Sequence, residues 1–91
     1  MSDLTDLKNI GPAMAAMLER AGVHNADALK NEGSKSVFKR LKEMGEPGMW
    51  ANKLIALDGA VRGIRKADMP EEITTDLRAF AKSISKRKVN K

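Results

Sequence analysis

The sequence contains no cysteine, a single histidine and few aromatic residues. Without cysteine the chain can form neither disulfides, thiolate metal sites nor cysteine nucleophiles, and we expect it in a reducing cytoplasm. His24 has no second histidine with which to form a zinc site, so we expect no metal and no other cofactor. No apolar run approaches the roughly 18 residues of a membrane span, and residues 1–4 lack the basic and apolar regions of a signal peptide. We therefore expect no membrane association.

The sequence also offers little of what common hydrolytic enzymes need. Such enzymes place a general base beside a nucleophile, and the only histidine falls in a polar turn between helices. No glycine-rich phosphate loop is present, because Gly11 stands alone and no G-K-[ST] triplet occurs. Glu71 and Glu72 fit the start of a helix, where negative charge is favoured. The sequence therefore predicts a protein that is not an enzyme, with a carboxylate pair as the one catalytic arrangement left open.

Positive charge is concentrated at the C-terminal end. The chain has 17 basic and 12 acidic residues, for a formal net charge of +5. Residues 82–91 hold five of the bases and no acid, which leaves 12 bases against 12 acids in residues 1–81. The tail is either a solvated helix end whose cations complement the helix dipole or an arm that binds phosphate. Its candidate phosphate contacts are Lys86, Arg87 and Lys88.

Apolar residues recur at helical spacing, and no stretch alternates as a half-buried strand does. The pattern predicts a compact all-α bundle of about five helices, in one domain over residues 1–85 followed by a basic tail over residues 86–91. After one turn capped by Thr5, the predicted helices are Pro12–Ala21, Ala26–Asn31, Lys35–Met44, Met49–Ile64 and a last helix from Pro70 to about Ser85.

Several residues predict how these helices begin, end and pack. Gly22 is typical of a left-handed C-terminal cap that lets Val23 pack back on the first long helix, and Asn25 and Ser34 are predicted N-caps. Asp58 and Arg62 form a favourable i,i+4 pair. Trp50 opens the apolar stripe of the fourth helix and is predicted to anchor the core. An exposed Trp50 would instead indicate a binding surface.

The segment Leu7-Lys8-Asn9-Ile10-Gly11-Pro12 resembles a helix-hairpin-helix turn, in which backbone N–H groups at a helix start can hold a DNA phosphate. Asn9 stands where glycine is usual, which is acceptable because asparagine visits positive φ more readily than most residues. Pro12 removes one donor, and only Lys8 supplies local charge. The turn is therefore either a tight corner between helices or part of a DNA contact. The candidate contacts in residues 1–81 are Lys8, Asn9, Gly11, Arg62, Arg65 and Lys66.

Small residues cluster on one side of the fourth helix. Gly59 and Gly63 form a G-x-x-x-G pair, with Ala56 and Ala60 nearby. Each glycine inside a helix costs about 1 kcal/mol relative to alanine, so a close approach of another backbone should compensate. The last helix of the same chain is the favoured neighbour, and a dimer face is the alternative.

The run Leu57-Asp58-Gly59-Ala60-Val61-Arg62-Gly63-Ile64, followed at Met69 by Met-Pro-Glu-Glu, joins the hairpin segment in a wider resemblance. Together these motifs resemble the C-terminal domain of the bacterial competence regulator TfoX (Sxy), over about Leu4–Ala81. The resemblance implies a helical domain related to helix-hairpin-helix and SAM-like folds, without known catalytic residues. In the longer regulators this domain follows an α/β domain, and it also occurs alone, which is the form that we expect of this chain.

Two functions from different classes follow. The first is a cytoplasmic regulatory module that binds a protein partner or a second copy of itself, as the neutral body, the small-residue stripe and the resemblance suggest. The alternative is sequence-independent DNA binding through the hairpin turn and the basic tail. A role in competence does not follow from the resemblance.

Overall fold

The computed structural model describes the backbone of residues 4–89 and the side chains of residues 4–84. Its α-helices, in chain order, are α1 (Pro12–Arg20), α2 (Ala26–Glu32), α3 (Ser34–Glu43), α4 (Ala51–Arg62) and α5 (Glu71–Val89). Short 3-10 helices at Leu4–Asp6 and Lys66–Asp68 precede α1 and α5. No strand occurs within residues 4–89, so the predicted all-α fold is confirmed.

The fourth helix forms the centre of the fold. It packs against α5, α3 and α2, and every residue from Leu54 to Ala60 is buried. A helix that is buried on all sides lies inside a fold, with its neighbours wrapped around it. Each α-helix contributes to the core, whose largest fully buried side chains include Leu18, Leu29, Phe38, Leu41, Leu54, Leu57 and Leu77.

Two of the predicted helix caps are present. Gly22 adopts a φ of 87°, and the N–H of Val23 donates to the carbonyl of Leu18 at 2.9 Å, which is the Schellman arrangement. The side chain of Asn25 accepts a hydrogen bond from the N–H of Ala28 at 2.8 Å. Both predictions are therefore confirmed. They could be made from the sequence because each cap depends only on residues within one or two turns of each other.

The prediction that Ser34 caps α3 is wrong. Ser34 is the first residue of that helix, Gly33 precedes it at a φ of 92°, and the Ser34 hydroxyl donates to the buried Asp58 carboxylate at 2.7 Å. Asp58 also accepts from Arg62 at 2.5 Å, as the i,i+4 spacing predicts. The serine therefore joins α3 to α4 across the core.

The predicted ends of the two longest helices also need correction. Met49–Ile64 was expected as one helix, but Trp50 is extended and Gly63 is left-handed with a φ of 78°, so α4 is shorter at both ends. The last helix does not end near Ser85, because its backbone continues to Val89. The side chains of Lys86, Arg87 and Lys88 lie outside the described residues.

A single side chain fixes the hairpin turn against the far end of α4. Asn9 has a φ of 71°, and its amide nitrogen donates to the carbonyls of Ile64 at 3.0 Å and Ala56 at 3.3 Å. Its amide oxygen accepts from the N–H of Lys66 at 2.8 Å. We call these three hydrogen bonds the Asn9 clamp. They join residues more than 45 positions apart in the chain.

The clamp explains why residue 59 is glycine. A Cβ at Gly59 would lie 2.5 Å from the carbonyl oxygen of Ile64 and 2.6 Å from the amide nitrogen of Asn9. Neither atom can withdraw without breaking the hydrogen bond between them. The close approach that compensates for a glycine inside the helix is therefore made by the hairpin turn and by the residues that follow α4, and not by the last helix. Gly63, its partner in the G-x-x-x-G pair, ends the helix and has open space around its Cα.

We predict that Gly59→Ala destabilises the protein by about 1–3 kcal/mol through overpacking, although alanine favours a helix over glycine by about 1 kcal/mol. Gly11→Ala is the matched control, because a Cβ there meets nothing within 4 Å and the φ of −96° is ordinary. Urea denaturation followed by circular dichroism measures both. A Gly59→Ala protein as stable as the parent would contradict the close approach.

Asn9→Gly separates the clamp from the backbone conformation, since glycine retains access to positive φ but forms no side-chain hydrogen bond. We expect a loss of about 1–3 kcal/mol in the free energy of unfolding. Asn9→Asp should also destabilise, because a carboxylate would face two carbonyl oxygens. The same denaturation measurement applies. Unchanged stability in Asn9→Gly would show that the three hydrogen bonds contribute nothing net.

Candidate functional site

Two grooves meet at Trp50 on the surface. The larger, of about 600 Å³, lies between the hairpin turn and the start of α4, and its wall includes Pro12, Ala13, Met14, Lys53 and Lys66. The smaller, of about 220 Å³, lies between the start of α4 and α5. Its lining consists of Met49, Trp50, Ala51, Arg78, Ala81 and Lys82. Trp50 lines both grooves and so forms the ridge between them.

Trp50 is exposed, which overturns its predicted place in the core. The residue is 70% exposed, whereas its neighbour Met49 is 4% exposed. Trp50 precedes the first turn of α4 in an extended conformation, and extended neighbours point their side chains in opposite directions. Met49 thus takes the inward position that the apolar stripe assigned to the tryptophan. A single exposed apolar side chain is ordinary on a protein surface, so the surroundings of Trp50 decide whether it marks a contact site.

The loop that carries Trp50 is held from several sides. Arg20 at the end of α1 forms two hydrogen bonds of 2.8 Å with the carboxylate of Glu46. Lys42 donates to the carbonyl of Met49 at 3.3 Å, and its ammonium lies 5.8 Å from the centre of the indole ring. The N–H of Trp50 donates to the carbonyl of Gly48 at 2.9 Å. These contacts hold the loop that carries the exposed ring.

The charges around Trp50 are of one sign. The two grooves are lined by four cations and by no carboxylate. None of the four forms an ion pair with another described residue, whereas Arg20, Lys35, Arg40, Arg62 and Arg65 all do. We call Trp50 together with Lys53, Lys66, Arg78 and Lys82 the Trp50 surface. Its unpaired cations suit an anionic partner.

The candidate DNA contacts from the sequence separate into different environments. Lys66, Gly11 and Asn9 line the larger groove, although both polar atoms of the Asn9 amide are already engaged in the clamp. Arg62 pairs with Asp58 and Arg65 with Asp68 at 3.4 Å, so their charges are already partly neutralised. Lys8 is exposed but lines neither groove.

The small residues of α4 lie mostly in the interior. Ala56, Gly59 and Ala60 are buried within the protein, where they allow the hairpin and the neighbouring helices to approach. Gly63 is exposed at the helix end. Burial within this one chain accounts for Ala56, Gly59 and Ala60, and the left-handed backbone at the helix end accounts for Gly63.

A third cavity, of about 630 Å³, lies where the start of α3 faces α4 and α5. Most of its charged lining residues are in ion pairs, such as Lys35 with Asp76 at 2.9 Å and Arg62 with Asp58. The only histidine lies elsewhere, 3.3 Å from the Glu19 carboxylate. Within residues 4–84, no three side chains of the metal-binding types are grouped to hold an ion. In the same described part of the chain, no helix is long and apolar enough to cross a membrane.

Two of the candidate contacts predicted from the sequence, Lys66 and Gly11, line the larger groove, whereas Lys53, Arg78 and Lys82 were not predicted. Arg78 and Lys82 are four residues apart on α5, and so share one side of a helix. That spacing is visible in the sequence. Their position beside Trp50, by contrast, depends on how α5 packs against α4.

Comparisons with known proteins agree with this fold. The TfoX C-terminal domain family matches residues 1–81. An uncharacterised protein from Listeria monocytogenes, crystallised in a triclinic form, is 35% identical with a TM-score of 0.85, over 90% of this chain and 92% of that one. A protein of unknown function from the same organism, in a tetragonal form, is 36% identical with a TM-score of 0.83, over 89% and 98% of the two chains. No curated protein matches.

The Arg20–Glu46 pair predicts a pH dependence. The hydrogen bonds from Arg20 hold the pKa of Glu46 below its ordinary value. A lowered folded-state pKa stabilises the fold above the ordinary glutamate pKa, and this contribution disappears as the pH falls through the lowered value. Glu46→Gln should therefore be less stable than the parent near pH 7, and the difference should be smaller at an acidic pH below the ordinary glutamate pKa. Denaturation midpoints at the two pH values measure it.

Glu43→Gln is the control for this prediction, because Glu43 lies three residues away and forms no ion pair with another described residue. It should show no comparable change between the two pH values. A Glu46→Gln difference that stays constant from neutral to acidic pH would show that the ionisation of Glu46 does not contribute to the stability of the fold.

Proposed function

This chain belongs to the TfoX C-terminal domain family. We propose that it is a non-catalytic regulatory module and that it binds nucleic acid without preference for a nucleotide sequence. The family supports a regulatory or interaction role in general terms. The observation that carries the finer proposal is the Trp50 surface: an exposed tryptophan among four unpaired cations, with no carboxylate in either groove. Phosphates supply the density of negative charge that such a surface matches.

A second copy of the chain is a poorer partner for this surface. In a two-fold dimer the same patch lies on both sides of the interface, so the cations of one copy would face those of the other. Three of the four residues in the small-residue stripe, which suggested self-association from the sequence, are buried within the chain, and Gly63 alone is exposed. Neither feature now supports a homodimer.

The hairpin turn has a different role in this proposal from the one its sequence suggests. Asn9 is committed to the clamp, and Pro12 has no N–H to offer a phosphate. The turn instead forms the wall of the larger groove and holds Lys66 at its edge through the hydrogen bond to the Lys66 N–H. The phosphate contacts thus come from side chains around the turn.

A protein partner is the alternative, and the apolar part of the larger groove favours it. Pro12, Ala13 and Met14 stand beside Trp50, and tryptophan and methionine are enriched at protein interfaces. Such a complex would survive nuclease treatment and high salt, because apolar contacts are not screened. It would still require Trp50.

Charge-reversal variants test the proposal against a labelled duplex and a labelled single strand at about 50 mM salt. Four phosphate contacts predict a slope of about −3 to −4 for log affinity against log salt. Lys66→Glu with Arg78→Glu should lower the affinity and reduce the slope by about 2. The matched control, Lys30→Glu with Lys39→Glu, changes the net charge equally at exposed residues outside both grooves.

The proposal requires the groove variant to lose much more affinity than the control. Equal losses would mean that binding follows the overall charge and not the Trp50 surface. An absence of binding to either nucleic acid at this salt would contradict the proposal. A nuclease-resistant complex that depends on Trp50 would then favour the protein alternative.

A further inference from the structure

We infer that the ligand of the Trp50 surface is single-stranded nucleic acid, with one unpaired base stacked on the indole of Trp50 and the adjoining phosphates beside the cations of the two grooves. This inference rests on the proposed function and specifies the form of nucleic acid that it involves. It assigns Trp50 as the residue that distinguishes single strands from duplexes.

The position of Trp50 suits an unpaired base. The side chain forms a ridge between two grooves and is 70% exposed, so its ring is presented outwards and not at the bottom of a pocket. Bases inside a duplex are already stacked on their neighbours and show only their edges, so an exposed ring cannot stack on them. An unpaired base has a free face, and stacking on an aromatic side chain requires no particular base.

The cations lie on both sides of this ridge. Lys53 and Lys66 line the larger groove on one side, and Arg78 and Lys82 line the smaller groove on the other. A strand that crosses the ridge would place its phosphates towards each pair of cations in turn. A groove of positive charge around stacking aromatics is the general arrangement by which proteins bind single strands without sequence preference.

The ring is also fixed in advance. Lys42 lies 5.8 Å from the ring centre, and Arg20 pairs with Glu46 in the loop that leads to Trp50. A side chain that is already ordered loses less conformational entropy when a ligand binds. The high exposure shows that Lys42 leaves most of the ring accessible to a base.

Trp50 is the only tryptophan, so intrinsic fluorescence reports on this site alone. The probes are an oligo-dT and an oligo-rU of about 15 nucleotides, a duplex of the same length, and a poly-glutamate peptide of about 15 residues. We expect both single strands to quench the fluorescence and to bind at least about tenfold more tightly than the duplex. The two arms show whether DNA or RNA is preferred.

Labelled oligonucleotides then measure the variants by fluorescence anisotropy. Trp50→Ala should weaken single-strand binding roughly 5- to 100-fold, the effect of one lost stacking contact, and should change duplex binding by less than about twofold. Trp50→Phe should retain most of the affinity, because its ring can still stack. The exposed position allows these variants to fold, which circular dichroism verifies. Replacing Lys86, Arg87 and Lys88 with serine measures how much the tail contributes to either ligand.

The outcomes separate this inference from the proposed function. If duplex and single strand bind equally and Trp50→Ala changes neither, the inference is overturned and nucleic-acid binding stands. If no nucleic acid binds, both fail. If poly-glutamate quenches Trp50 as strongly as oligo-dT at equal salt, the surface responds to negative charge alone and the stacked base is overturned. The inference is also overturned if the serine variant of the tail loses most of its affinity for single strands while Trp50→Ala binds them as tightly as the parent.

Discussion

The three hydrogen bonds of the Asn9 side chain hold the hairpin turn against the end of α4. They require a left-handed backbone at Asn9, which asparagine adopts more readily than most residues, and a residue without Cβ at position 59. With the turn held there, Pro12 and the start of α1 face the first turn of α4, and Lys66 reaches the edge of the same groove. The larger groove beside Trp50 therefore depends on a side chain whose amide group is engaged within the protein.

Local features of the fold could be predicted from the sequence, and distant contacts could not. The caps at Gly22 and Asn25 involve residues within five positions of each other, so the sequence pattern contains both members of each contact. The role of Gly59 depends on Asn9, fifty positions away, and no periodic pattern records that contact. Trp50 fitted the spacing of the apolar stripe, but α4 begins one residue later, and Met49 takes the inward place. The helix begins at Ala51, two residues later than predicted, and this shift places Met49 in the core and Trp50 on the surface.

The distribution of charge shows why net charge alone was a poor guide to the partner. Residues 1–81 carry equal numbers of bases and acids, which indicated a neutral body. Several carboxylates, however, are engaged by Arg20, Lys35, Arg40, Arg62 and Arg65. The cations around Trp50 are left without a counter-charge among the described residues. A balanced chain can in this way present a positive surface, because ion pairs neutralise acids and bases in some places and not in others.

We propose that the Trp50 surface, and neither the hairpin donors nor the basic tail, contacts the nucleic acid. Nuclear magnetic resonance of the ¹⁵N-labelled chain, titrated with oligo-dT, tests this residue by residue. We predict that the indole N–H of Trp50 shifts most, together with the amides of Lys53, Lys66, Arg78 and Lys82. Shifts confined to residues 86–91, or to the turn at Gly11 and Ala13 with Trp50 unmoved, would contradict it.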